Sequence, residues 1–219
     1  PPSGMVAWWK ADGNANDSVG TNHGTLNNGA TIAPGMVKQA FRLDGINDYI
    51  STPDSSIFDF GINDFTIDSW INTATPSSTM RLIAAGSWED GVYNLWAFGY
   101  GSHYLWGSGN RLNFAIYDGE GHPYTDLNSN EINLSANTWH HIAVVRSGAN
   151  LMFYFDGNYA GTANIGSINL GGGSTGAIIG ARYEENPTQI IEFANGLIDE
   201  VKIYNRALTS DEIATIFNV

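Results

Sequence analysis

The 219-residue chain contains no cysteine, which removes disulfide frameworks, thiolate zinc or iron–sulfur sites and cysteine nucleophiles from consideration. Basic residues are scarce: 9 Lys+Arg stand against 22 Asp+Glu, a formal net charge of −13. Such a field repels nucleic acid and anionic membrane surfaces. No apolar run approaches the roughly 20 residues of a membrane helix, so membrane insertion is not expected. Charged residues make up only 14% of the chain, and strong helix formers are few. In their place stand 26 Gly, 7 Trp, 10 Tyr and 10 Phe, with Asn, Ser and Thr supplying the polarity. This mixture favours aromatic and β-branched strands separated by Gly/Asn/Asp turns, a composition common in exported proteins.

Short apolar or alternating runs recur between turn residues, the spacing of an all-β sandwich and not of βαβ units. Strands are expected near 6–9, 39–43, 48–51, 65–71, 81–85, 93–98, 112–117, 139–146, 151–155, 159–163, 177–181 and 197–204. Leu112, Phe114 and Ile116 alternate with Asn113, Ala115 and Tyr117, so a strand sends the two sets to opposite faces and one face is core. Asp156-Gly157 between two strands predicts a tight hairpin, because both residues tolerate positive φ. One helix is expected, at the C-terminus. There Thr209 and Glu212 have capping-box spacing, and Ile213, Ile216 and Phe217 line one face. The reading is one domain over 1–219, with 1–4 as a linker remnant: a module from a longer or processed precursor, expected to be monomeric.

Enzyme-like strings fail on context. Gly172-Gly173-Ser174-Thr175-Gly176 spells a serine-hydrolase elbow, and Gly171, Gly173 and Gly176 match the dinucleotide fingerprint. Both need a strand before and a helix after, whereas 177–181 reads as a strand. Glycosidase carboxylates placed on alternate strand positions would share a face. Asp199-Glu200 and Glu184-Glu185 are adjacent instead. His140 and His141 read as satisfied sheet residues, and His23, His103 and His122 lie in separate loops, giving no metal pattern. Asp12, Asn14 and Asn16 have EF-hand spacing, but Asp17 stands where Gly is needed and His23 where Glu is needed.

Several segments in order resemble the laminin-G-like jelly roll of the concanavalin A-like lectin and glucanase superfamily. They are Gly4–Gly13, Asn14–Ser18, Asn22–Thr25, Ala40–Tyr49, Phe65–Ile71, Thr138–Ala143 and, most specific, Gly196–Ile213 (GLIDEVKIYNRALTSDEI). The resemblance implies a two-sheet antiparallel jelly-roll sandwich, one bound calcium, and non-catalytic recognition of glycans or protein surfaces in secreted, often multidomain bacterial proteins. Hard cations want several oxygen ligands, and Asp17, Asp44, Asp48 and Asp199 lie in or beside acidic Asn/Gly-rich turns. By resemblance a structural calcium is expected between the 17–22 loop, the 45–48 turn and Asp199, held by Asp17, Asn22, Gly45, Asp48 and Asp199.

Trp9, Trp70 and Trp139 fall in shared family segments and are expected to pack. The stretch 87–106 departs most from the family pattern and is crowded with aromatics. Sugar rings stack their C–H faces on such rings while their hydroxyls need polar partners. Trp88, Tyr93, Trp96, His103, Tyr104, Trp106, Tyr117 and His122 are therefore the expected ligand platform, with Arg81, Arg111 and Arg182 as polar partners. The expected function is a secreted or cell-surface carbohydrate-binding module that joins a poly- or oligosaccharide to the other domains of its parent protein. An adhesion or protein-binding module comes second and a polysaccharide-degrading domain third.

Overall fold

The computed structural model describes residues 2–86, 95–101, 110–117, 125–171, 176–183 and 189–218, with the paired positions 88–89 and 92–93. Among them, strands form two two-stranded ribbons, Trp88–Glu89 with Val92–Tyr93 and Arg182–Tyr183 with Ile190–Ile191, and two large antiparallel sheets. One has eight strands in the order Asn158–Asn164, Asn150–Phe155, His140–Ser147, Phe65–Asn72, Asn195–Tyr204, Gln39–Asp44 and Thr31–Pro34. Its eighth strand, Met5–Trp9, pairs with the second half of Asn195–Tyr204, while Gln39–Asp44 pairs with the first half. The other sheet has seven strands in the order Thr125–Asn128, Leu112–Tyr117, Leu95–Tyr100, Met80–Ala85, Ile178–Ile179, Tyr49–Ser51 and Thr25–Asn27.

The period-two alternation places the core between the sheets. Phe65, Ile67 and Ile71, Ile142 and Val144, and Ile198, Val201 and Ile203 face Leu82, Trp96, Phe98, Leu112, Phe114 and Ile116 in one buried cluster. The expected two-sheet sandwich is therefore the observed fold. The hairpin at Asp156-Gly157 turns with φ of 48 and 74. Thr209 Oγ1 accepts from the Glu212 N–H, and the Glu212 carboxylate accepts from the Thr209 N–H, capping helix Ser210–Phe217 as expected. That helix sets Ile213 and Ile216 on Ala143, Val145, Tyr154 and Tyr204, a second small core on the outer face of the eight-stranded sheet.

Six strands are not expected from the sequence pattern: Thr25–Asn27, Thr31–Pro34, Trp88–Glu89, Thr125–Asn128, Arg182–Tyr183 and Ile190–Ile191. Each is four residues or fewer, too short for alternation to stand out. Pro34 ends an edge strand, the place in a sheet where a missing N–H costs no ladder bond. The strand expected at 93–98 runs Leu95–Tyr100, and that expected at 177–181 shortens to Ile178–Ile179.

Candidate functional site

On the seven-stranded sheet, the face turned away from the core carries two side-by-side rows set by strand register. Ala84 pairs with Ala97, Ala97 with Ala115, and Ala115 with Asp126. In the neighbouring row Arg81 pairs with Gly99, Gly99 with Asn113, and Asn113 with Asn128. Gly99 is required here, because a Cβ would lie 2.2 Å from the Met80 carbonyl oxygen, at a register shift between the two strands. Ala84, Ala97 and Ala115 are themselves buried, in a small cluster with Leu95, and the polar line runs beside them.

That line is hydrogen-bonded throughout. The fully buried Arg81 donates Nε to Glu192 Oε2 and Nη1 to Asn113 Oδ1 at 2.7 Å. Asn113 Nδ2 donates onward to Asp126 Oδ1 at 3.2 Å and Asn128 Oδ1 at 3.1 Å. Arg182 donates Nη2 to Glu192 Oε1 at 3.0 Å, so two guanidiniums share one carboxylate. Burial alone would raise the Glu192 carboxyl; hydrogen bonds and charge from Arg182 and Arg81 override it and hold it at about 2. Arg81 Nη2 has no partner among the described residues. Asp126, Asn128, Glu192 and Tyr183 are half-buried and form the reachable rim. Amide, guanidinium and carboxylate groups held in fixed directions are what vicinal hydroxyls need for paired hydrogen bonds.

Of the expected platform, Arg81 and Arg182 come together here through Glu192, which carries no sequence signal beyond a carboxylate after two isoleucines. Arg111 does not join them: it donates to the Ser129 carbonyl and to Glu131 Oε1. Trp96 corrects the expectation outright. It is 0% exposed, stacks on Phe114 and leans on Phe60, and donates its indole N–H to the Phe58 carbonyl. It faces the core because its strand neighbours Phe98 and Tyr100, two and four residues on, also face the core. Trp88, Tyr93 and Tyr117 are placed only by backbone pairing, Trp88 with Tyr93 and Tyr117 with Leu95. His103, Tyr104, Trp106 and His122 lie outside the described residues, as do Glu184 and Glu185. Trp9 and Trp70 are buried, as expected for packing residues.

The expected calcium ligands do not fit one ion as a set. Asp17 accepts from the N–H groups of Trp8 and Val19 and from Asn22 Nδ2, and the Asn22 carbonyl is taken by the Trp9 indole. Asp48 accepts from the N–H groups of Gly29 and Asp44. The 45–48 turn sits by Asn195, which pairs with Asp44; Asp199 lies four residues further along that strand, about 13 Å away at the strand rise. One calcium reaches ligands at only about 2.3–2.6 Å. Among the described residues no three His, Asp or Glu side chains converge on a point a metal ion would take. In this arrangement the carboxylates cap backbone N–H groups. Glu200 has φ of 57, so strand alternation breaks there and Asp199 and Glu200 serve different partners: the Val37 N–H and the Trp8 indole.

A family profile for the concanavalin A-like lectin/glucanases superfamily, laminin-G-like type, matches residues 44–214. The chain belongs to this family. Similar solved structures show the same fold. Domain 4 of AbnA, a GH43 extracellular arabinanase from Geobacillus stearothermophilus solved with arabinotriose, is 17% identical at TM-score 0.71, with 97% of each chain covered. The binding domain of Paraclostridial Mosquitocidal Protein 1 is 18% identical at TM-score 0.72. The binding domain of botulinum neurotoxin DC solved with SialylT is 15% identical at TM-score 0.72. These matches cover 98% of this chain but only 52% and 51% of the two toxin chains. No curated protein sequence matches the chain. Among the described residues no helix is long and apolar enough to cross a membrane.

Proposed function

We propose that this laminin-G-like chain is a non-catalytic glycan-recognition module of a secreted or cell-surface protein, reading a poly- or oligosaccharide on the outer face of its seven-stranded sheet. The observation that carries the reading is the Arg81–Asn113–Asn128 line, a fixed set of donors and acceptors outside the core between the sheets that ends at the half-buried Asp126 and Asn128. The charges of that line balance, with Arg81 and Arg182 against Glu192 and Asp126, which suits neutral hydroxyl-rich ligands better than strongly anionic ones. Support also comes from the arabinotriose complex of AbnA domain 4, a domain of an extracellular arabinanase that this chain matches over 97% of the domain's length.

The test is affinity electrophoresis against a polysaccharide panel followed by isothermal titration with the best oligosaccharide. Asn128→Ala and Asp126→Ala each remove a half-buried polar group of the rim worth about 1–3 kcal/mol, so affinity falls roughly tenfold or more. Panel-wide absence of binding, or wild-type affinity in both variants, overturns the reading in favour of a protein-binding module. Because the five expected calcium ligands do not converge on one point, both the unfolding midpoint and sugar affinity are expected to stay unchanged after verified removal of ions with EDTA. A loss restored by added calcium would reverse that.

A further inference from the structure

The sequence has three lysines, Lys10, Lys38 and Lys202. All three line one cavity of about 320 Å³ on the other side of the molecule, between the outer face of the eight-stranded sheet and helix Ser210–Phe217. In a chain of net charge −13, this gathers every ammonium group of the side chains at one place. The cavity arises where Met5–Trp9 and Gln39–Asp44 both pair with Asn195–Tyr204 and leave a gap between their ends. Trp8 and Trp70 wall it, and Ile216 of the helix closes one side.

Two of the lysines are committed. Lys38 pairs with Asp12 at 3.1 Å, and Lys202 with Glu200 at 3.2 Å and Asp68 at 3.6 Å. Lys10 has no carboxylate partner among the described residues; its ammonium lies 3.9 Å from the Trp8 ring centroid. A cation held only by a ring face is free to take an anion. The indole N–H of Trp8 is fixed by Glu200 Oε2 at 2.9 Å, so the ring that carries the cation cannot rotate away.

A second observation points the same way. Tyr204 is fully buried, borders the cavity, and its hydroxyl has no partner among the described residues. Asp12, also on the lining, uses Oδ2 for Lys38 while Oδ1 has no partner. Unmet polar groups of this kind are rare in folded proteins. The uncommitted set is thus an ammonium, a carboxylate oxygen and a phenol around indole walls. It lacks a carboxylate to answer Lys10, hydroxyl groups to answer Asp12 and Tyr204, and a flat C–H surface to cover Trp8.

We propose that this cavity is a second ligand site and that it takes a carboxylate-bearing sugar ring, a uronate unit. Its volume lies at the lower end of small-ligand pockets, about 300–1,000 Å³. It is separate from the outward face of the seven-stranded sheet, so a chain carrying both sites would bind a mixed neutral and acidic glycan at two points.

The test is isothermal titration with trigalacturonate and, as the uncharged control, a neutral galactose trisaccharide, on the wild type and on Lys10→Gln, Trp8→Ala and Asn128→Ala. The acidic trisaccharide is expected to bind at least tenfold more tightly than the neutral one, with affinity falling as salt rises. Lys10→Gln, on a half-buried side chain that no ion pair needs, is expected to abolish that preference. Trp8→Ala, with its fold checked by circular dichroism, is expected to remove binding, while Asn128→Ala on the opposite sheet leaves it unchanged. Equal affinity for the two trisaccharides, no binding of either, or a Lys10→Gln variant that keeps the preference overturns the site. Loss in Asn128→Ala alone moves the acidic sugar to the other face.

Discussion

Replacing Asp199 with Asn is expected to stabilise the protein at pH 8 by roughly 2–4 kcal/mol and to do nothing at pH 4. Asp199 is fully buried. Burial first, and the neighbouring Glu200 charge after it, push its carboxyl up to about 7, against the lowering effect of the Val37 and Glu200 N–H groups. Oδ2 accepts from the Val37 N–H at 2.8 Å, while Oδ1 has no partner among the described residues, the arrangement of a carboxyl better suited to carrying a proton. The folded pKa lies above the ordinary 3.8, so the native state holds a proton that the unfolded state releases between those values. Stability is therefore full below about 4 and falls as pH rises through 7. At one pKa unit per about 1.4 kcal/mol, the loss is about 4 kcal/mol at most.

Asn keeps the acceptor for Val37 and never ionises, so it escapes this loss. Glu192 supplies the opposite limb. Held at about 2 against an ordinary 4.5, it contributes stability above its unfolded value that disappears as pH falls from about 4.5 towards 2. Asp17 and Asp44, both lowered, add to the same limb. Urea midpoints of the wild type should thus peak near pH 4–5, and the Asp199→Asn curve should stay high up to pH 8. A wild-type midpoint flat from pH 4 to 8, or an Asn variant no more stable at pH 8, would show that Asp199 is ionised in the folded protein.

Asp199 and Trp96 mark the boundary between what neighbouring residues determine and what only the folded arrangement decides. Strand alternation, the Asp156-Gly157 turn and the Thr209–Glu212 box are local devices whose physics depends on residues a few positions apart, and each is found where the sequence implies it. Trp96 behaves differently, because aromatic crowding in 87–106 says nothing about which face each ring takes; that depends on the register with Phe98 and Tyr100. Arg81 and Arg182 are legible as polar partners, but the Glu192 carboxylate that joins them lies 111 positions from Arg81 in sequence, beyond any local pattern. The calcium set implied by resemblance comes apart for a related reason. Turn carboxylates are equally good at capping N–H groups and at binding cations, and only the strand distance between Asp48 and Asp199 separates the two uses. The lysine cavity depends on three residues scattered over the chain and on a gap between two strands that share one partner.

Arg81→Met should lower stability by about 3–5 kcal/mol, the cost of removing one member of a buried, hydrogen-bonded charge pair. For a chain of this length that corresponds to a melting-temperature drop on the order of 10 °C. Met preserves length and apolar bulk but leaves Asn113 Oδ1 without its 2.7 Å donor and halves the cationic support of Glu192. Asn113 is then free to turn, and with it the orientation of Asp126 and Asn128 at the rim, so sugar affinity should fall as well. Arg81→Lys restores charge but not the planar fork that meets two acceptors at once, and should recover only part of either loss. Trp96→Ala gives the decisive comparison. Truncating a fully buried indole costs a similar 3–5 kcal/mol, yet it empties the core side of the same sheet and leaves the Arg81 line in place. Measured well below both melting temperatures, Arg81→Met should have weakened sugar binding and Trp96→Ala near-normal binding. The reverse order would return the ligand platform to the aromatic ring and deprive the polar line of its role.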